Sequence, residues 1–233
     1  MFRSARRDGV SGGRYRHDAV KYVIIILDGA ADLPIEELDG LTPFQAAETP
    51  NLKRLAAMGR VGTAHTTPAT MEAGSDVCSM SLLGYDPLKY HTGRAPLEAA
   101  ALGLDLSPTD WIFRLNLVTV GGPTTGDHGV MLDHSAGAIS DAEAKALVGD
   151  LMAHWRKAAP ELAKDFTLHH GVSYRSILVD RSGRDYRQVR TTPPHAIPNE
   201  PWEPKMPEGD ASAERLRDLM DMSSEFLAKH PVN

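Results

Sequence analysis

Between Lys21 and Leu27 the chain runs Lys-Tyr-Val-Ile-Ile-Ile-Leu, almost wholly apolar, and stops at Asp28-Gly29. A half-buried strand would alternate, so this β-branched run predicts a strand buried on both faces of a parallel sheet. Asp28 then falls at the C-terminal end of that strand, the edge at which open α/β sheets bind ligands. The pattern changes at Thr49-Pro50. Leu52, Leu55 and Ala56 share one helical face, Pro50 suits the first helical position, and Gly59 closes the segment. Val61 to Thr67 predicts a further strand. A turn at Glu72-Ala73-Gly74 leads to Ser75, placed to cap the helix that follows. Another helix is expected around Pro96 to Leu102, and strand formers then dominate from Asp110 to Val120.

Beyond residue 121 the elements are of a different kind. Gly121-Gly122 marks a hairpin-like turn before a short strand near His128 to Leu132. Ser140 and Glu143 have capping-box spacing ahead of a helix whose apolar face carries Leu147, Leu151 and Trp155. Phe166 to Val179 predicts extended chain broken at Gly171. A Pro-rich loop between Pro193 and Pro207 precedes a last helix over 211–228, with Leu216, Leu219, Met220 and Leu227 as its buried positions. The alternation of strand, loop and helix places the chain in the α/β class.

Composition narrows the functional classes. With 233 residues, 42% of them hydrophobic and 24% charged, the chain is an ordinary globular sequence able to bury a substantial core in one or two domains. The small net charge of -6 is spread over the chain without an acidic block, and no nucleic-acid partner is expected. The lone Cys78 excludes an intrachain disulfide and a cysteine-based zinc cluster, and a reducing compartment, the cytoplasm, is the expectation. Arg3, Arg6, Arg7, Arg14 and Arg16 precede an apolar run too short for an export signal or a membrane span. Residues 1–19 therefore read as a basic extension, and no membrane association is expected.

Two residues stand where phosphate chemistry would need them. The carboxylate of Asp28 is a hard oxygen donor suited to magnesium, manganese or zinc, although an Asp before Gly is also a common turn residue. Ser75 opens a helix, where unpaired N–H groups and the helix dipole stabilise a phosphate, and where a serine is also an ordinary cap. His65, His91, His128, His134, His169, His170 and His195 lack the i, i+4 spacing of a helical zinc motif, and His169 and His170 point to opposite faces of a strand. Asp76, beside the serine, can orient the site. Neither G-x-G-x-x-G nor G-x-x-x-x-G-K-[ST] occurs, which removes dinucleotide-binding and P-loop readings.

A resemblance to one family adds to this reading. V-I-I-I-L-D-G-A-A-D at 23–32, T-P-N-L-K-R-L-A at 49–56, G-S-D-V-C-S-M-S-L-L-G-Y-D-P at 74–87 and G-R-A-P-L-E-A at 93–99 resemble successive signatures of archaeal-type cofactor-independent phosphoglycerate mutases, in the alkaline phosphatase superfamily. F-R-L-N-L-V-T-V at 113–120 and G-V-S-Y-R at 171–175 continue the similarity, which covers about residues 20 to 233.

The resemblance implies an incomplete alkaline phosphatase-like core over 20–112, with a mainly parallel sheet and flanking helices. It implies an inserted smaller α+β domain over 113–228 and the start of a return to the core at 229–233. Ser75 takes the family's nucleophile position, and Asp28 and Ser75 take positions in a two-metal site for manganese, magnesium or zinc. Arg94 and Arg114, with Arg175 on the inserted domain, are the candidates for holding the substrate, because a planar guanidinium makes bidentate contacts to phosphate and carboxylate. The implied activity is interconversion of 3-phosphoglycerate and 2-phosphoglycerate through a phosphoserine, without a bisphosphoglycerate primer. Family members carry most of their metal ligands in a second half of the core, so the chain is expected to be an N-terminal part, inactive alone. A related metal-dependent phosphatase, a homoserine kinase-like phosphotransferase and a non-catalytic fragment are the alternatives, and homo-oligomerisation is left open.

Overall fold

The computed structural model describes residues 21–27, 30–122 and 126–232, so Asp28 lies outside the described residues. The chain divides into two compact units, 1–64 and 65–233.

In the first unit, a 3-10 turn at Glu36–Leu38 is closed by a bridge between Ile35 and Leu41. Helix α1 (Pro43–Ala46) starts with a reciprocal cap. The Thr42 hydroxyl accepts from the Gln45 N–H, and the Gln45 side chain accepts from the Thr42 N–H. Helix α2 (Pro50–Met58) follows, with Pro50 at its first position and Gly59 beyond its end, as its sequence predicts. The strands expected at Lys21–Leu27 and Val61–Thr67 do not form. A strand is held by a neighbour's backbone donors and acceptors, and no described residue pairs with either run. Tyr22 to Leu27 are left exposed, as are Leu52 and Leu55 of α2.

The second unit carries helices α3 (Ser75–Leu82), α4 (Pro87–Tyr90) and α5 (Arg94–Ala101), the last beginning two residues before the expected Pro96. Strands β1 (Trp111–Asn116), β2 (Thr119–Val120) and β3 (Met131–Asp133) come next. Helices α6 (Asp141–Ala158) and α7 (Pro160–Ala163) lead to β4 (Phe166–Val172) and β5 (Arg175–Asp180), and α8 (Ala211–Leu227) is the last element. No helix among the described residues is long and apolar enough to cross a membrane.

The main sheet has the order β1-β5-β4, and β2 pairs with β3 separately; every pairing is antiparallel. The class is thus mixed α/β, and no parallel pair occurs among the described residues. Gly171 interrupts the extended chain, as expected, without ending it. It sits in a bulge of β4 between His170 and Val172, and the reversal comes at Ser173-Tyr174, where Ser173 takes a positive φ. A Cβ at Gly171 would lie 2.9 Å from the Arg175 carbonyl oxygen, so only glycine lets the two backbones approach this closely.

Alternation along the strands sorts this sheet into two faces. Phe113, Leu115, Phe166, Leu168 and Leu178 point to one face, against Leu151, Met152 and Trp155 of α6 and Leu216 and Leu219 of α8. Ile112, Ile177 and Val179 point to the other, against Ala95 and Ala99 of α5 with Leu104 and Leu106. Small residues on α5 bring its backbone close to the sheet. Each large apolar side chain so buried contributes about 1.5–3 kcal/mol. The Ser140–Glu143 capping box forms as predicted, with Glu143 N–H donating to Ser140 Oγ and Ser140 N–H to Glu143 Oε2. Met220, expected inside, faces solvent on α8, one position past the buried Leu219.

Candidate functional site

Arg94 sits at the first position of α5, and Glu98 follows one turn later on the same face. The Arg94 Nε donates to Glu98 Oε1 at 3.0 Å. Because α5 packs on the Ile112, Ile177 and Val179 face, Glu98 also meets the arginine that shares this face on β1. Arg114 Nε lies 3.3 Å from Glu98 Oε2, an ion pair too poorly aligned to be a hydrogen bond. Two residues on, Asn116 pairs directly with Arg175 of β5, and residues opposite each other across an antiparallel pair have neighbouring side chains. Arg175 stacks its guanidinium over the Tyr174 ring at 5.0 Å and donates to the Tyr174 hydroxyl at 3.2 Å.

The three arginines named from sequence thus come near one another from three elements, two of them paired with Glu98 and the third beside Asn116. Burial pushes the Arg114 guanidinium down from its usual range, Glu98 opposes this, and the positive charges of Arg94 and Arg175 add to the lowering. Arginine stays charged under such a shift, so Arg94 and Arg114 share one counter-ion with a third cation, Arg175, nearby. Three polar atoms here are buried without a hydrogen-bond partner: Arg114 Nε, Arg175 Nε and Asn116 Oδ1. Buried donors and acceptors are rarely left so.

Ser75 is exposed in the first turn of α3, but it is not the cap. Gly74 holds that position, and Ser75 is the first helical residue. The N–H groups expected to receive a phosphate are served by the next side chain. The Asp76 carboxylate lies close enough to the N–H groups of Asp76 and Val77 for both to stabilise its charge. A Cβ on Gly74 would come within 2.5 Å of Asp76 Oδ1, so a larger residue there would displace that carboxylate. Asp76 is further paired with His91 Nε2 at 2.7 Å, both side chains being largely buried. Burial pushes the Asp76 carboxyl up, but the His91 contact and the two N–H groups outweigh it and hold the acid below its usual range. Cys78 is half-buried, its thiol 3.3 Å from the Thr67 hydroxyl, and Ser81 Oγ donates to the Thr66 carbonyl at 2.7 Å. These bonds tie the segment before the turn to α3.

No hydrogen bond or ion pair among the described residues joins the Ser75 turn to the arginine cluster. No three His, Cys, Asp or Glu side chains converge among the described residues as a metal would require, since Asp76 and His91 are engaged with each other. The donors among the described residues do not by themselves make a metal site.

Glu98, Asn116 and the His91 partnership were not singled out from sequence. The first two had a signal: Glu98 stands four residues after Arg94 in a helical segment, and Asn116 shares strand parity with Arg114. His91 had none, being brought to Asp76 by the turn between α4 and α5.

Residues 56–233 match the family model described as 2,3-bisphosphoglycerate-independent phosphoglycerate mutase. The chain is 44% identical over 214 residues to the 2,3-bisphosphoglycerate-independent phosphoglycerate mutase 2 of Methanothermobacter thermautotrophicus, covering 92% of this chain and 50% of that protein. It is 41% identical over 214 residues to the 2,3-bisphosphoglycerate-independent phosphoglycerate mutase of Methanosarcina barkeri, with the same two coverages. A solved structure of a Pyrococcus horikoshii protein superposes with a TM-score of 0.57 at 27% identity, over 88% of this chain and 44% of that one. The chain spans about half the length of the curated relatives it matches.

Proposed function

Because the chain belongs to the 2,3-bisphosphoglycerate-independent phosphoglycerate mutase family, we propose that it carries the serine nucleophile and the anion-binding arginines of an enzyme interconverting 3-phosphoglycerate and 2-phosphoglycerate. The observation that carries this reading is the convergence of Arg94, Arg114 and Arg175 on one sheet face, with buried donors left unpaired. Guanidinium groups in a partly dry site are the strongest ordinary recognisers of phosphate and carboxylate. Phosphoglycerate carries both.

In this proposal Ser75 Oγ forms a bond to phosphorus as the ester bond to glycerate breaks. The serine proton ends on the freed glycerate hydroxyl. The second step reverses the first from the other hydroxyl, so phosphate returns to the same glycerate and no external primer is consumed. The arginines neutralise the charge that spreads over the phosphoryl oxygens during transfer. Asp76, held ionised by His91 and two N–H groups, fixes the turn on which Ser75 is presented.

A divalent metal, manganese, magnesium or zinc, is part of the proposal, with Asp28 and Ser75 as the ligands offered by this chain. A pair of ions needs further donors, and no step is derived through them. The alkaline phosphatase-like core over 20–112, the inserted domain over 113–228 and a cytoplasmic setting belong to the same proposal.

The test is an enolase-coupled assay on the full chain with 3-phosphoglycerate and manganese, beside a Ser75→Ala variant. Turnover lost in the variant supports the reading. Turnover unchanged in the variant overturns the role of Ser75. No turnover in a folded chain reduces the assignment to a part that needs the remainder of the enzyme.

A further inference from the structure

The arginine cluster contains one feature that anion binding leaves unused. An anion supplies acceptors, and it can satisfy the buried Arg114 Nε and Arg175 Nε. It cannot satisfy Asn116 Oδ1, which is itself an acceptor, buried without a partner. The carboxamide lies directly opposite Arg175 and on the Arg114 side of β1. Both neighbours are cations with unpaired donors, yet neither donates to it. A buried acceptor without a donor destabilises a fold. A leucine, with the same branching though larger, would continue the apolar Ile112, Ile177, Val179 face and remove that cost. Such a residue is the mark of a site that trades stability for function.

We propose that Asn116 is a specificity-determining residue that accepts a hydrogen bond from a hydroxyl of the bound ligand, so that the site selects an anion carrying a neighbouring hydroxyl over the anion alone. The inference rests on the anion-site reading given above and deepens it. Two buried donors and one buried acceptor on three neighbouring residues of one sheet face define a complement with acceptors and one donor. A hydroxy acid phosphate has this pattern, and inorganic phosphate or a deoxy analogue does not present the same donor. A site built to bond a hydroxyl discriminates strongly against a ligand that lacks it, because its own polar group is then left unpaired.

The experiment is calorimetric titration of the full chain with 3-phosphoglycerate and with 3-phosphooxypropanoate, which lacks the hydroxyl, using wild type, Asn116→Leu and Arg114→Ala. Wild type is expected to favour 3-phosphoglycerate by about tenfold or more. Asn116→Leu is expected to bring the two affinities together while leaving the analogue's affinity unchanged, with a Tm equal to or above that of wild type. Arg114→Ala is expected to lose both ligands. If Asn116→Leu keeps the wild-type preference, or loses both ligands together with Tm, Asn116 is a structural residue and the inference is overturned. If wild type binds neither ligand, the anion-site reading itself fails and this inference falls with it. If wild type binds both equally and Arg114→Ala binds neither, the anion site stands without a hydroxyl reader.

Discussion

Lys21–Leu27 and Arg175–Asp180 are both rich in β-branched residues, and their fates differ completely. Ile25 is 74% exposed in a segment with no regular structure, whereas Val179 is fully buried in the middle strand of a sheet. Strand propensity is, if anything, higher in the first. What differs is that β5 has β1 on one side and β4 on the other, and a helix layer against each face. Strand preference describes how well a residue fits a pleated, half-buried surface, and it cannot create the surface.

The contrast is sharpest under mutation. Trp155, fully buried where α6 meets α8, donates from its indole to Ser223 Oγ at 3.1 Å. Trp155→Ala is predicted to destabilise the second unit by about 3–5 kcal/mol in urea unfolding; a loss below about 1 kcal/mol would mean that this core is not the one described. Next comes Tyr186→Phe. The tyrosine hydroxyl donates to Asp180, a carboxylate only 1% exposed whose other oxygen accepts from the Ser182 N–H at 2.7 Å. Burial and the Asp180 charge both push the Tyr186 phenol up, so it stays a donor throughout the ordinary pH range. Removing it should cost about 1–3 kcal/mol by the same measurement, because a buried charge loses a partner. Ser140→Ala should cost about 1 kcal/mol through the lost cap of α6.

Asp76 gives a pH-dependent effect. Its folded pKa lies below the ordinary 3.8, so the unfolded chain takes up the proton first as pH falls. Its contribution is fully present above pH 3.8 and is lost as pH falls through the lower folded value. His91→Ala is predicted to raise the Asp76 titration towards the ordinary value, followed by NMR; an unmoved titration would separate the pair. At the bottom of the scale, Ile25→Ala should change unfolding free energy by no more than about 0.5 kcal/mol. A loss comparable to that of a core residue would show that the segment is packed, and the comparison would collapse.

What was legible in the sequence follows the same division. Helices α2, α6 and α8 were readable because their signals are local: Pro50 and Gly59, the Ser140–Glu143 box, and the periodic leucines. The strand runs at 21–27 and 61–67 were misread as formed strands because pairing is a property of two segments. The arginines were identified one at a time on a resemblance. Their convergence depends on α5 crossing the face that carries Ile112, Ile177 and Val179, and no single segment contains that fact. Asn116 was passed over because an asparagine within a strand reads as a surface residue until its face is known.

The sheet order also bears on how the molecule assembles. Strands β4 and β5 meet through a tight reversal and need little chain entropy to pair, whereas β1 reaches β5 only after α6, α7 and β4 have intervened in sequence. Arg114 and Asn116, for which a role in ligand binding is proposed, lie on that more distant strand. We predict that the amides of Phe113 and Leu115, which bond β1 to β5, exchange with solvent faster than those of Thr167 and Val179, which bond β4 to β5, read by native-state hydrogen exchange. Opening of the β1 edge would then dismantle the arginine cluster while the hairpin and its helices stay intact, so recognition would be lost before the fold is.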